Sequence, residues 1–483
     1  MNDSSQTDAE YYHQQGQSKA NADEHAIAID HFERAIQMDP LNPQFFLSLG
    51  VSLIHLNRYA EAIRSIQHGL SLKPDFPEAY NSLGLAYMHL EQFTEAANCY
   101  QEAIRLNPAD LAAYHNSANM LAILERFDEA IERYEQILQQ APEATATYNN
   151  LGNVLMLMGR FAEAIPHYQR ALELNPTAAE TYHHLGAALI ELERHAEAIQ
   201  VLQQCLAIDP LDAEVCNMLG TTLAKMGSFQ EALEQLQRSV KLRPDYALAH
   251  SNIGLIQAQL GDLPAAIAAN ERAILLQPDF ASPYSHLGEL YLRLERPLEA
   301  LKCFEHLLNI APDYPDLARN LGDVYYDLGD LPRAIAMYEK RLETQPNDFI
   351  TRYMLGSFYF LQRDFDSALR HYEGVLELTP DDPDVWNSIG CIYLSIERFE
   401  LAETALLKAW TLWDESNFLP AMNLGHLALA QGLLDTALHW YRLGLHLAPD
   451  RKQFFEGLHS DWKDLKVLKE VWMEWVMGEL EKV

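Results

Sequence analysis

The side chains best equipped for chemistry in this chain are polar groups set at a fixed step. Two adjacent positions recur every 34 residues as Asn81 with Ser82, His115 with Asn116, Asn149 with Asn150, His183 with His184, Asn217, Ser251 with Asn252, Ser285 with His286, Arg319 with Asn320, Asn387 with Ser388, and Asn423. Asn119 and Asn153 follow one helical turn later. A primary amide donates and accepts at once, so it can pair with a peptide group whatever side chain that peptide carries. Each such bond contributes only about 0.5–1.5 kcal/mol net, so a row of them would hold an extended segment weakly and with little sequence choice. Specificity must then come from the walls. Tyr326, Tyr353 and Phe360, near Glu289, Asp316, Asp323 and Asp327, would suit a ligand with apolar and basic side chains, or would pack between neighbouring repeats.

No catalytic or metal-binding constellation accompanies this row. No GxGxxG opens a βαβ unit, no GxxxxGK[ST] occurs, and no HExxH lies on a helix. His183 and His184 are adjacent and so point in different directions, with no third ligand beside them. Asp and Glu number 69 against 35 Lys and Arg, a formal charge of −34. Carboxylates this abundant serve solvation rather than acid–base pairing. The same field repels phosphate backbones and anionic lipid heads, which disfavours nucleic acid and membrane surfaces as partners. Cys99, Cys205, Cys216, Cys303 and Cys391 are odd in number and form no CxxC, so they read as small apolar fillers in a reducing compartment. The N-terminal MNDSSQTDAE lacks the basic and apolar regions of a secretory signal. No apolar run approaches the ~20 residues that span a bilayer. The expectation is a cytoplasmic protein with no enzymatic activity, cofactor or metal.

Positioning such a row requires repeated elements. Prolines stand at Pro40, Pro74, Pro108 and on to Pro380 at steps of 34, a glycine series runs from Gly50 to Gly390 with Ala118 in one gap, and an alanine series runs from Ala62 to Ala402. Between prolines lie two runs of helical period, as in YNNLGNVLMLMG followed by FAEAIPHYQRALELNP. Glycine in mid-helix costs about 0.5–1 kcal/mol against alanine and is tolerated where two helices approach closely. The Gly and Ala series therefore mark the seam of a helical hairpin. Proline ends each second helix because it lacks an N–H and clashes with the preceding turn. Tyr80, Tyr114, Tyr148, Tyr182 and Tyr284 in first helices, and Tyr100, Tyr134, Tyr168, Tyr338 and Tyr372 in second helices, are expected to complete that seam.

The period, with an aromatic, LG, Y, A, F/Y, A and P in order, resembles the tetratricopeptide repeat (TPR) family. Counting on Gly16, Ala28, Phe32, Ala35 and Pro40, the first unit is 9–42; counting on Gly425, Ala437, Tyr441 and Pro449, the last is 418–451. The resemblance implies an all-α, right-handed α-solenoid superhelix of about thirteen hairpins, with first helices lining a concave groove. Unit positions 2, 5, 6, 9, 12 and 13 of each first helix should face that groove. Residues 1–8 are expected to be a disordered N-terminus. Unit 383–417 carries one extra residue, with Trp410, Trp413 and Asp414 at its end, and should alter the local pitch. Residues 452–483 place Leu458, Trp462, Leu465, Leu468, Trp472, Trp475 and Val476 on one helical face, as a helix that caps the array or docks elsewhere.

The asparagine row is similar to the one lining the TPR superhelix of O-linked N-acetylglucosamine transferases, where it grips an extended peptide. By that likeness the groove residues are Asn81, Asn116, Asn119, Asn149, Asn150, Asn153, His184, Asn217, Asn252, His286, Asn320 and Asn387, with Tyr326, Tyr353 and Phe360 as aromatic wall. The carboxylate clamp of TPR chaperone adaptors needs Lys and Asn one turn apart, but Arg319 is followed by Asp323, so that role is not expected. The reading is a protein–protein scaffold that binds extended segments of partner proteins. The alternatives are an assembly factor that forms homodimers or docks through its convex face and C-terminal helix, or a stand-alone regulatory arm of a separately encoded enzyme such as a glycosyltransferase.

Overall fold

A computed structural model describes residues 2–414, 416–464 and 470–480, with side chains described over 7–414, 416–458 and 472–480. Among the described residues every regular element is an α-helix, from Asn2–Asn21 to Glu470–Leu480. The chain divides into two compact units, Met1–Asp262 and Leu263–Val483. The first carries hairpins from Asn2–Asn21 with His25–Met38 through Ala213–Lys225 with Phe229–Leu242, and ends on Ala247–Gln259. The second opens on Leu263–Leu276 and continues with hairpins from Ala281–Arg293 with Pro297–Ile310 through Phe418–Ala430 with Leu434–Leu447. The eighth sequence repeat thus contributes one helix to each unit.

Each hairpin closes on one recurring contact. A Cβ added to Gly84, at unit position 8, would lie 2.7 Å from the ring of Tyr100, at position 24. At Gly288 it would lie 2.4 Å from Phe304. At these positions glycine leaves room for the ring; in the fourth repeat Ala118 faces the buried Tyr134 instead. The alanine series, such as Ala96, Ala130 and Ala164, is wholly buried in the same seam.

The turn between the two helices carries a second recurring feature. Unit position 15 is left-handed throughout, at Asn57, Glu91, Glu125, Gly159, Glu193, Gly227, Glu295, Arg363 and Glu397 among others. The Arg58 N–H bonds the Leu53 carbonyl and the Asn57 N–H bonds the Ile54 carbonyl, each at 2.9 Å. These are the two bonds of a Schellman stop, which satisfies carbonyls that a helix end leaves orphaned.

Position 4 departs from expectation. The hydroxyls of Tyr148 and Tyr284, the indole N–H of Trp386 and the Nε–H of Arg352 each donate to the proline carbonyl six residues earlier, at 3.3, 3.1, 2.9 and 2.9 Å. Tyr148 and Tyr284 therefore clamp the loop between repeats rather than fill the hairpin seam.

Within each unit, first helices of successive repeats approach one another, as Ala179–Glu191 approaches Ala213–Lys225 and Pro383–Ser395 approaches Phe418–Ala430, while second helices of successive hairpins do not come as near. The first helices therefore line the inner face.

Repeat 315–348 is distorted. Position 27 is small in most repeats (Ala35, Gly69, Ala103, Ala171), but here it is Arg341, only 7% exposed. Its guanidinium lies 2.7 Å from Asp316 and donates to Asp348 at 3.0 Å. Asp316 is left-handed, and the first helix starts late, at Leu317, to make room.

The chain ends depart from expectation too. Residues 2–8 are helical, within Asn2–Asn21, and Ala9 is buried against Ala35 and Phe45, so the N-terminus is not an unstructured lead-in. The tail forms two helices, Arg451–Asp464 and Glu470–Leu480, rather than one. Phe454, Leu458, Val476 and Leu480 are buried with Met422, Leu429, Leu438 and Tyr441 of the last hairpin. Trp475 is 39% exposed and does not share that buried face; Trp462, Leu465 and Leu468 fall outside the side chains described. Trp410 is buried edge-on to Trp440, with ring centroids 5.6 Å apart.

Candidate functional site

The row of amides on the inner face is cross-linked. In the first unit Asn116 donates from Nδ2 to Asn81 Oδ1 at 3.1 Å, and Asn252 donates to Asn217 at 2.8 Å. Asn150 Nδ2 lies 3.3 Å from both Asn119 Oδ1 and the His115 Nε2. In the second unit Asn423 donates to Asn387 at 2.9 Å. In each of these pairs an amide at position 6 reaches back to position 5 of the preceding repeat. Asn149 follows another route and accepts from Thr181 Oγ1 at 3.1 Å.

Asn119 and Asn153 have a further partner. At position 9 they accept the hydroxyls of the buried seam tyrosines Tyr134 and Tyr168, at 2.5 and 2.7 Å. The same exchange joins Tyr338 to Asp323, Tyr372 to Ser357 at 2.9 Å, and Tyr441 to His426 at 2.7 Å. A buried hydroxyl without a partner is costly, so a tyrosine at position 24 calls for a polar residue at position 9. The exception is Tyr100, which faces Leu85 in the sequence pattern and whose hydroxyl has no protein partner. This pairing is visible in the sequence as a 15-residue correlation, which the groove reading of Asn119 and Asn153 passed over.

The rest of the row is half-buried or buried. Asn217 and Asn320 are 5% and 6% exposed. Burial lowers the affinity of His115, His184 and His286 for a proton, so they are biased to the neutral form. Among these, His286 faces Asn270 at 3.3 Å. Burial also raises the Asp323 carboxyl, against the opposing hydrogen bond from Tyr338.

The aromatic wall divides by residue. The Tyr326 ring packs on Phe358 of the next repeat at 5.1 Å while leaving 47% of the residue exposed. Tyr353 lies edge-on to Tyr372 at 5.5 Å. Phe360 lines a cavity of about 330 Å³ together with Leu394, Leu419, Met422, Cys391 and Asn423. Tyr353 and Phe360 thus pack against one core cluster, and Tyr326 against Phe358 of the one before it. Of the cysteines, Cys99, Cys205 and Cys216 are buried and free, and burial pushes the Cys205 thiol up to about 11, so it packs rather than reacts. Among the described residues no His, Cys, Asp and Glu cluster could hold a metal, and no helix is long and apolar enough to cross a membrane.

Profiles described as tetratricopeptide repeat match residues 13–75, 77–110, 143–210, 217–286, 279–347 and 353–420. No curated protein matches the chain. Among solved structures, YrrB, titled a TPR protein with an unusual peptide-binding site, is 24% identical over 39% of this chain and 96% of its own, with a TM-score of 0.35. MamA is 29% identical over 34% of this chain and 95% of its own, with a TM-score of 0.32. The Cut9–Hcn1 hetero-tetramer of the APC/C is 17% identical over 84% of this chain and 94% of that one, with a TM-score of 0.39. With profiles of one repeat type covering well over half its length, and with hairpins of that period along it, the chain belongs to the tetratricopeptide repeat family.

Proposed function

We propose that the chain is a non-catalytic scaffold or adaptor that holds an extended segment of a partner protein along the inner face of its first helices. The observation that carries this reading is the hydrogen-bonded order of the amide row. Asn116 is tied to Asn81, Asn150 to Asn119 and Asn252 to Asn217, so these side chains are held in one rotamer before any ligand arrives. Fixing them in advance removes part of the ordering entropy that binding would otherwise cost. An amide that donates one N–H to its neighbour has a second N–H and carbonyl lone pairs to offer a peptide backbone. The likeness to the asparagine row of O-linked N-acetylglucosamine transferases points the same way. The acidic balance suits neutral or basic partners, and the unpaired cysteines suit a cytoplasmic setting.

The test is a displayed random dodecapeptide library selected on the full chain. Selected peptides should tolerate many side-chain changes yet lose about tenfold or more in affinity when their backbone N–H groups are methylated. A chain with Asn116, Asn150 and Asn252 all changed to Ala should bind them comparably weakly while keeping its helical circular dichroism. Binding indifferent to both changes would sink the amide-row mechanism.

A further inference from the structure

One rung of the amide row is held differently from the others. Asn116 and Asn252 each give one N–H to the preceding repeat and keep a second. Asn150 instead sets its Nδ2 3.3 Å from Asn119 Oδ1 and 3.3 Å from His115 Nε2. Asn119 Oδ1 also accepts the hydroxyl of Tyr134, which is 1% exposed, at 2.5 Å. A chain of hydrogen bonds thus runs from the hairpin seam through Asn119 and Asn150 to His115.

The chain has a direction. A carbonyl oxygen only accepts, so Nδ2 rather than Oδ1 of Asn150 must face Asn119. Its other N–H then requires a bare nitrogen at His115 Nε2, which is the neutral tautomer with its hydrogen on Nδ1. Both N–H groups of Asn150 are therefore spent inside the protein. Its Oδ1 accepts from no donor among the described residues and is not sealed from solvent.

We propose that Tyr134 and His115 fix the Asn150 amide so that this rung accepts an N–H from the extended partner segment, and that a proton on His115 turns the rung into a donor and weakens binding. The inference rests on the groove reading above and gives one rung of it a polarity and a switch.

The physics is local. A proton added from water to Nε2 makes the imidazole a donor aimed at the Asn150 N–H groups, and two donors repel. Rotating the amide relieves this, because Oδ1 then accepts a charge-assisted bond from the imidazolium. The same rotation breaks the bond to Asn119 and sends Nδ2 toward the ligand, where a peptide N–H now meets another N–H. No fixed charge obscures the switch. Tyr134 faces the imidazole edge-on at 6.0 Å, whereas Glu78, Asp110 and Arg133 on the surrounding elements contribute nothing to its titration. Burial alone lowers its proton affinity, so the neutral form prevails at neutral pH and is lost as pH falls through a value below the ordinary His range near ~6.5.

A fluorescent dodecapeptide taken from the library at pH 7.5 tests this on the full chain. Its affinity should fall several-fold between pH 7.5 and 5.0. For the His115→Gln chain, whose residue 115 has no proton to gain, the change over that range should be less than about twofold. Methylating the peptide's backbone nitrogens one at a time should identify a single N–H whose loss also removes the pH dependence, so the two effects should not add. A ligand-free reading comes from the His115 imidazole resonance, assigned by its absence in His115→Gln. It should titrate below the ordinary His range in the unaltered chain and above it in Asn150→Asp, which offers oxygens only. If His115→Gln fails to fold by circular dichroism, the imidazole is assigned through His115→Asn and this titration decides. A pH profile that persists in His115→Gln, or an imidazole that titrates alike with Asn or Asp at 150, would overturn the switch and leave the groove reading intact. A peptide indifferent to methylation at every nitrogen, or no peptide recovered at all, would overturn both.

Discussion

At the scale of single residues, position 9 and position 24 form a two-part device that reports on packing and function together. Tyr168 donates to Asn153 at 2.7 Å from inside the hairpin seam, whereas the Tyr100 hydroxyl is buried without a protein partner. Removing the hydroxyl should therefore have opposite signs at the two sites. Tyr168→Phe should destabilise by about 1 kcal/mol, the net worth of a typical bond, and leave Asn153 unpaired. Tyr100→Phe should be neutral or stabilising, because an orphaned polar atom disappears and the ring stays. Urea midpoints of the two variants check this, and equal losses at both sites would refute the pairing. The sequence step showed that Asn119 and Asn153 recur, but not which way they turn. Position 9 lies on the border between groove and seam, and a helical period resolves a face, not the two edges of that face. The position-6 to position-5 bonds were likewise hidden, since they join residues 35 apart and depend on how two first helices are set side by side.

Elements of this chain are held by turns as much as by cores. The hairpins were legible because Gly, Ala and Pro each have a steric reason to sit at one place in the period. The left-handed residue at position 15 was legible only in part: Gly159, Gly227 and Asn57 carry a turn signature, but Glu91, Glu125 and Glu193 are good helix formers with none. Holding a side chain in that region costs about 1 kcal/mol or more. Glu125→Gly and Glu193→Gly, at φ of 58° and 57°, should each raise stability by roughly 0.5 kcal/mol once the extra chain entropy of glycine is set against the relief. A thermal midpoint that falls in either variant would show that the strain is absorbed elsewhere. Arg341 is the reverse case, a departure from the period that the structure must accommodate. Its guanidinium is buried between Asp316 and Asp348, so Arg341→Leu should cost about 3 kcal/mol, the low end for breaking a buried pair, because Asp316 keeps 44% of its side chain exposed. Burial works against the Asp348 charge, but the Thr351 N–H and Arg341 outweigh it and hold the carboxyl below its usual range. A depressed native value means that this stability is complete above the ordinary Asp range near pH ~4 and is lost as pH falls through the lower native one. Acid titration followed by circular dichroism should show that limb in the unaltered chain and a smaller one in Arg341→Leu, where the Thr351 N–H still holds Asp348.

On the scale of the whole molecule, a repeat array has no single core, and each hairpin answers only to its neighbours. Stability then depends on whether the last hairpin finds a substitute for the repeat that would follow. Helices Arg451–Asp464 and Glu470–Leu480 supply one: Phe454, Leu458, Val476 and Leu480 are fully buried against the final hairpin. Four large side chains withdrawn from water at about 1.5–3 kcal/mol each, before the ordering entropy of two helices is subtracted, leave a margin large enough to matter for one repeat and too small to reach distant ones. A chain ending at 450 should therefore lose amide-exchange protection in 418–447, expose Met422 and Tyr441, and associate through that surface as concentration rises. Protection around the amide row at 81–252 should be unchanged, and so should binding by backbone-directed peptides. If the shortened chain keeps full protection in its last hairpin and stays monodisperse, the tail is not a cap, and its exposed Trp475 becomes the place to look for what it holds instead.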